Sequence, residues 1–261
     1  SWKRLVLPPY ARVPLVIWSC WLADDLRKGD RESRRRLLRR YGSADLITHM
    51  SRHETEIFLD SGFDESRLAT LDFGINQDYY TPGNGPRDIQ VLSVGQDRGR
   101  DFATLIEAVR GTDLHLDVVC KPHNVAGIDI PANVRVHAPV SLPDYRALLR
   151  RAQVVAVPTH ELAYPTGQSV ALEASATGAC VVVTGTRAMG DYFVDGINAR
   201  LVGVGDVLAW REVLIELVGD EQQRGGLGDG ALRNVRERFN SDQMWTQFDA
   251  LLHKLGVVSG I

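Results

Sequence analysis

The sequence predicts an α/β protein built on parallel sheets, and three observations carry that expectation. From residue 88 onward, short β-branched runs alternate with segments of helical spacing, the pattern of βαβ units. Near-continuous apolar runs such as Val154-Val155-Ala156-Val157 suit strands buried on both faces. The stretch from Pro158-Thr159-His160 to Val183 holds an apolar run ending in Pro-Thr and a polar loop closing on Pro165–Ser169. A helix carrying Glu173 follows, and Gly178 stops it before the next apolar run.

In chain order, residues 15–18 read as a strand, and a strongly charged segment over 26–41 reads as one helix. Residues 45–48 form a second strand, 51–61 a helix and 68–71 a third strand, half of a doubly wound domain. Ser51 is placed to cap the helix, with Glu54 completing a capping box. The Pro- and Gly-rich segment 81–87 reads as the linker. Beyond it, strands are expected over 89–94, 114–120, 134–137, 154–157, 180–184 and 199–204. Helices are expected over 101–110, 142–152, 168–177 and 190–194. Right-handed crossovers then fix most of the topology. From Asp206 the tail reads as helical, over 207–218, 222–239 and 242–255. The domain division expected is 1–82, 83–240 and a final helix over 241–261.

Composition narrows the function classes. The 261 residues carry a formal net charge of −3, which argues against wholesale nucleic-acid binding. An apolar fraction of 44% with 24% charged residues is that of a soluble globular chain. Cys20, Cys120 and Cys180 lie in or beside apolar runs without metal-ligand spacing, which fits a reducing compartment. No apolar run approaches the ~20 residues that span a bilayer. The apolar stretch 13–21 contains Pro14, precedes Asp24-Asp25 and shows no cleavage site, so it reads as a buried strand rather than a signal peptide. The chain opens Ser1-Trp2-Lys3-Arg4 without an initiator Met, so upstream sequence is expected to be missing.

The loop before residue 170 carries the chemistry. A small-residue turn opening a helix presents unpaired N–H groups at the positive end of the helix dipole, which suits a phosphate. Glu173, about one and a half turns in, could reach a ribose attached to that phosphate. An ordinary βαβ connection with a solvated Glu reads equally well on geometry alone.

Several stretches carry a family resemblance. In order they are Gly74-Ile75-Asn76, Asp78-Tyr79-Tyr80, Val94-Gly95, Phe102 with Thr104-Leu105-Ile106-Glu107-Ala108, then Gln168-Ser169-Val170-Ala171-Leu172-Glu173, and Asp195-Gly196-Ile197-Asn198 through Asp206. Together they resemble the large family of retaining glycosyltransferases of GT-B fold, which includes sucrose synthase and bacterial group 1 enzymes. The resemblance implies two Rossmann-like domains, the N-terminal one shortened, with the last helix crossing back to it. It implies a nucleoside-diphosphate sugar as co-substrate, UDP or GDP being usual, and a small-molecule, lipid-linked or saccharide acceptor. Arg100 falls where the family has a phosphate-binding Lys. Gln96 falls near its usual Arg, so Arg98 is the candidate to compensate. Gly95 permits close backbone approach, and Lys121 follows a buried strand. Glu173 matches the acid that holds the ribose hydroxyls, and Thr166, Gly167, Gln168 and Ser169 supply donors to sugar or phosphate. The family's first acid is absent: Pro165 stands there, and Glu161 would need another loop course.

The expected reaction is front-face glycosyl transfer with retention, the leaving diphosphate stabilised by Arg98, Arg100, Lys121 and the helix N-terminus. His, Cys and carboxylates show no ligand spacing, so no metal is expected and no cofactor beyond the nucleotide sugar. His160 is a further catalytic candidate beside the donor. His49 is an acceptor-side candidate, although a capped or surface His is the more ordinary reading. The basic run Arg27, Lys28, Arg31, Arg34, Arg35, Arg36, Arg39 and Arg40 fits either contact with anionic lipid at the inner membrane face or a solvated helix face. Asp24, Asp25, Asp30 and Glu32 offset it, favouring the second, and a cytoplasmic location is expected. Two other functions remain in view: a nucleotide-sugar-binding protein without transfer, motivated by Pro165, and a GT-B-fold epimerase. A dinucleotide oxidoreductase does not fit, because no Gly-x-Gly-x-x-Gly follows an expected strand.

Overall fold

Two all-parallel sheets form where the β-branched runs cluster, and each has its own core. The computed structural model describes residues 13–257, so the opening Ser1–Arg4 lies outside the described residues. The chain divides into two compact units: Ser1–Phe73 with Ala163–Pro165 and Asp242–Ile261, and Gly74–Leu162 with Thr166–Ser241.

In the first unit, β1 (Val16–Trp18), β2 (Leu46–His49) and β3 (Leu68–Thr70) pair in that order. The register sets Ile17 beside Ile47 and Thr48 beside Ala69. Ala23, Leu26, Ile47, Phe58 and Phe63 form the core. The single helix expected over 26–41 is two helices, α1 (Leu22–Lys28) and α2 (Arg31–Tyr41). Gly29 is extended between them, and the Asp30 carboxylate accepts from the Ser33 N–H at 2.8 Å, starting a new helix. In α3 (Arg52–Asp60), Glu54 Oε2 accepts from the Ser51 N–H at 3.0 Å, the glutamate half of the expected capping box. The last helix, α9 (Ser241–Lys254), belongs to this unit from Asp242 onward. The rings of Trp245 and Phe248 sit 6.2 and 6.1 Å from Trp18, and Gln247 accepts from the Asp72 N–H. Ala163–Pro165 belongs here too: the Ala163 N–H donates to the fully buried Asp24, and Tyr164 meets Trp21 edge-on at 4.5 Å.

The second unit is a six-stranded sheet in the order β6-β5-β4-β7-β8-β9. Its strands are β4 (Ile89–Val94), β5 (Leu116–Val119), β6 (Val134–His137), β7 (Ala152–Val157), β8 (Cys180–Thr184) and β9 (Arg200–Val202). Numbered within the unit this is 3-2-1-4-5-6, the doubly wound order whose ligands bind where the strand order reverses. Here the reversal lies between β4 and β7. Val91, Val154 and Val182 are fully buried across the sheet, while edge strand β6 exposes Arg135 and His137. The helices are α4 (Phe102–Val109), α5 (Leu142–Arg151), α6 (Gln168–Ala176), α7 (Val207–Gly219) and α8 (Glu221–Glu237). The helix expected over 190–194 is a single 3-10 turn, Met189–Asp191.

The boundary falls at 73/74 rather than at 82/83, because the Pro- and Gly-rich segment is strapped to the second unit. Arg87 donates to the carbonyls of Leu149, Ala152 and Thr177 at 2.6–3.2 Å, and Arg150 binds Thr81 through both its carbonyl and its hydroxyl. The passages at 73/74 and 241/242 are tied together within this unit, where the Ser241 N–H donates to Ile75 O at 2.8 Å.

Candidate functional site

Two loops meet at the reversal point. The one after β4 begins at Gly95, and the one after β7 begins at Pro158. A bridge between Arg100 and Thr159 joins them, with the Asp101 N–H donating to Pro158 O and the His160 N–H to Gly99 O. Asp97 gathers the junction. It accepts from the Gly99 N–H at 2.8 Å, Arg100 Nε at 3.0 Å and the Thr166 hydroxyl at 3.0 Å. Burial pushes the Asp97 carboxyl up, but the Arg100 charge and these hydrogen bonds outweigh it and hold the group below its ordinary value.

Arg100 lies where a side chain can be held only between glycines. Its side chain is 3% exposed. A Cβ on Gly95 would collide with its Nε and Cζ, and a Cβ on Gly167 would come within 2.8 Å of Nη1. Gly167 also has φ +82° and precedes the first turn of α6, a conformation a side chain disfavours. Arg100 Nη1 is buried with no hydrogen-bond partner. An unpaired guanidinium nitrogen beside an α-helix N-terminus makes one electropositive corner.

That corner opens on a cleft of about 480 Å³ wholly within the second unit. Gly95, Gln96, Asp97 and Arg100 line it from the β4 loop, and Ser169, Val170 and Glu173 from α6. Val119, Val140, Leu142 and Tyr145 supply an apolar wall. Glu173 Oε2 accepts from the Tyr145 hydroxyl at 2.6 Å, and the Tyr80 ring lies edge-on to the Tyr145 ring at 6.2 Å. Burial pushes the Glu173 carboxyl up, and the two phenols and the Arg100 charge offset part of the rise. Burial and the neighbouring carboxylate raise both phenols, so they stay protonated donors.

The structure therefore brings Gly95, Arg100, Ser169 and Glu173 onto one cleft. The Ser169 side chain makes no hydrogen bond among the described residues. Thr166, Gly167 and Gln168 form the turn behind it, and the Thr166 hydroxyl is spent on Asp97 rather than facing the cleft. Arg98, Lys121 and His160 are exposed and do not line the cleft, and the His160 ring is 3.7 Å from Asp101. His49 belongs to the other unit and is fully buried. Its Nδ1 contacts Ser51 O at 3.0 Å, its Nε2 the Thr55 hydroxyl at 3.2 Å, and its ring stacks on Phe58, so it serves that core. Pro165, at the position of the family's first acid, is buried with the first unit, and Glu161 is exposed.

Sequence reasoning missed Asp97, Tyr80 and Tyr145. Tyr80 stood in the Asp78-Tyr79-Tyr80 stretch and Asp97 in the loop already singled out. Tyr145 lies 28 residues from Glu173, and its helix spacing reads simply as a half-buried face. Among the described residues no group of three His, Cys, Asp or Glu could hold a metal ion, and no helix is long and apolar enough to cross a membrane.

The two units, the strand order and the cleft at its reversal define a GT-B-type architecture. Sucrose-phosphate synthase from Thermosynechococcus elongatus matches 99% of this chain and 71% of its own at a TM-score of 0.80 and 18% identity. Anabaena HepE, solved in complex with UDP-glucose, matches 94% of this chain and 73% of its own at 0.79 and 16%. At such identities the likeness is one of fold. Residues 92–220 match the family described as Glycosyl transferases group 1. A D-inositol 3-phosphate glycosyltransferase of Xylanimonas cellulosilytica is 37% identical over 110 residues, 42% of this chain and 25% of that protein. One from Salinispora tropica is 34% identical over 111 residues, 42% of this chain and 22% of that protein. The matched stretch thus spans a quarter or less of these curated relatives.

Proposed function

We propose that the chain transfers a glycosyl unit from a nucleoside-diphosphate sugar, UDP or GDP, to a small-molecule, lipid-linked or saccharide acceptor, with retention and without a metal. The observation that carries this reading is Arg100. A guanidinium with a buried, unpartnered Nη1 faces the same cleft as the α6 N-terminus and Glu173. The diphosphate would take the corner formed by Arg100 and the backbone N–H groups at Gly167–Ser169, and the ribose would lie along α6 at Glu173. As the glycosidic C–O bond breaks, negative charge grows on the diphosphate, and these fixed donors stabilise it without reorganising. The acceptor hydroxyl attacks from the same face and passes its proton to a diphosphate oxygen. Exposed Arg98 and Lys121, which follow β4 and β5 at the same end of the sheet, add secondary positive charge. The HepE complex supports a nucleotide sugar in this fold.

Pro165 favours one second reading, a protein that binds the nucleotide sugar without transferring it. Calorimetric titration with UDP and GDP, followed by release of nucleoside diphosphate from UDP- and GDP-sugars, separates the two. We expect Arg100→Ala to weaken nucleoside-diphosphate binding roughly 10- to 100-fold, the worth of a charge-assisted hydrogen bond. Release by the wild type should persist in EDTA. Undiminished binding by Arg100→Ala rules out the anion corner, and tight binding without release leaves the binding protein.

A further inference from the structure

We infer that the second unit carries a further anion site, at the end of its sheet opposite the Arg100 cleft, built for the phosphate group of a small phosphate monoester. The Arg100 cleft follows the carboxyl ends of β4 and β7. A second cavity, of about 540 Å³, lies at their amino ends. Arg87 precedes β4, Gln153 stands at the start of β7, and Cys180 opens β8. A six-residue strand such as β7 is roughly 20 Å long, so the two openings are separate. The volume is that of a small-molecule site, and its whole lining belongs to one compact unit.

Two guanidinium groups line this space without a counter-charge. Arg87 uses both Nη1 hydrogens and one Nη2 hydrogen on the carbonyls of Leu149, Ala152 and Thr177. Its Nε–H and second Nη2–H are left over. Arg224 donates from Nη1 to the Leu217 and Val218 carbonyls at 2.6 and 2.7 Å. That leaves its Nε and Nη2 edge, the fork that grips an oxyanion through two parallel bonds. Among the described residues neither group forms an ion pair. The carbonyls hold both in place but bring no net charge, and charge withdrawn from water without a partner is costly. Burial accordingly pulls Arg87 below its ordinary value. Cys180 is no counter-ion: burial pushes its thiol up to about 12, against the pull of Arg224, Arg200 and Arg87.

The wall beside Arg224 is kept open. Gly225 lies inside α8, where glycine weakens a helix relative to alanine. A Cβ there would meet nothing within 4 Å, and its φ is not positive, so neither packing nor backbone calls for glycine. Gly85, across the lining, is equally free of neighbours. The ligand class follows from charge and size. A phosphate monoester carries about −1.5 to −2 at pH 7, which two guanidiniums match. Phosphate alone would fill only part of the cavity, so an organic remainder is expected. Glu221 is the one acid of the lining; it would accept a hydroxyl of that remainder and repel a second anionic group.

The test is isothermal titration of the whole chain, at constant ionic strength, with glycerol 3-phosphate, inorganic phosphate and uncharged glycerol. Wild type should bind glycerol 3-phosphate with a Kd of about 1 mM or tighter, inorganic phosphate more weakly and glycerol not at all. Arg224→Gln should weaken the monoester roughly 10-fold or more. Gly225→Leu fills the wall while improving the helix, so it should lose the binding yet melt no lower than wild type. It carries the test if Arg224→Gln does not fold. Arg100→Ala should bind glycerol 3-phosphate as wild type does. If Arg100→Ala loses the binding and Arg224→Gln keeps it, the phosphate sits in the nucleotide cleft and the second site falls. Undiminished binding by Gly225→Leu overturns it, as does no binding by wild type below about 10 mM. Inorganic phosphate binding more tightly than the monoester overturns the ligand class. None of these outcomes depends on whether the chain transfers a sugar.

Discussion

Gly95 and Glu173 show how single side chains set the cleft. The Arg100 guanidinium rests against Gly95, and a methyl group there would meet its Nε, Cζ and Cδ. The far end of an arginine can move, but Asp97 holds Nε and the surroundings are buried. Gly95→Ala should therefore destabilise the fold by about 1–3 kcal/mol, as overpacking does. That lowers the melting temperature by roughly 2–12 °C, and nucleoside-diphosphate affinity should fall as Arg100 is displaced. Glu173 behaves oppositely. Its carboxyl is raised by burial, so between the ordinary carboxylate value and the raised one the folded state binds more protons than the unfolded state. Stability from this group is accordingly highest at low pH and falls as pH rises through that window. Glu173→Gln, which cannot ionise, should melt higher than wild type at pH 7, and the difference should vanish below about pH 4. A difference that grows on acidification would mean that the carboxylate is stabilised rather than strained. The loss of ribose binding should accompany the gain.

At the level of elements, α6 depends on how it starts. Gly167 adopts φ +82°, and a Cβ there would approach Val157 Cγ1 at 2.5 Å as well as Arg100. Gly167→Ala combines left-handed strain, about 1–2 kcal/mol, with a steric clash. We expect thermal melts to fall by at least ~5 °C and nucleoside-diphosphate binding to be lost in titration. A variant that melts and binds like wild type would show that the turn is not rigid. This helix start was legible because its signals are local: Pro-Thr ending β7, Gly167, then Gln168-Ser169-Val170. The strands of the six-stranded sheet were legible for a related reason. A strand buried on both faces needs a continuous apolar run, and Val154–Val157 and Cys180–Thr184 supply one. Where local signals conflicted, the reading slipped. High charge across residues 26–41 masked the break at Gly29-Asp30, although an Asp three residues before a backbone N–H is an N-cap signal. The Pro- and Gly-rich stretch 81–87 resembled a linker, but Arg87 and Arg150 bind it to one unit through contacts up to 90 residues apart. The cleft divides the same way. Gly95, Arg100, Ser169 and Glu173 sit at strand ends or a helix start and could be found there. Tyr145 matters only because the fold carries it to Glu173, 28 residues away, and nothing in its neighbours in sequence says so.

For the whole molecule, the division into two units makes ligand binding separable from global stability. Each unit has its own core, one around Phe58 and Ile47, the other around Trp210, Phe102 and Val154. Every residue lining the cleft belongs to the second. A ligand that binds only the folded form adds RT ln(1 + [L]/Kd), about 2.7 kcal/mol at a hundredfold excess over Kd. Units with independent cores open in separate cooperative steps. The increment should then reach the slowest-exchanging amides of the unit that holds the ligand and bypass the other. Native-state hydrogen exchange with UDP or GDP is therefore expected to slow the amides of β4, β7 and β8 by about 100-fold at that excess. The slow amides of β1 and β2 should not change. Equal slowing in both sheets would show one cooperative block. Slowing confined to β1 and β2 would place the nucleotide outside the Arg100 cleft altogether.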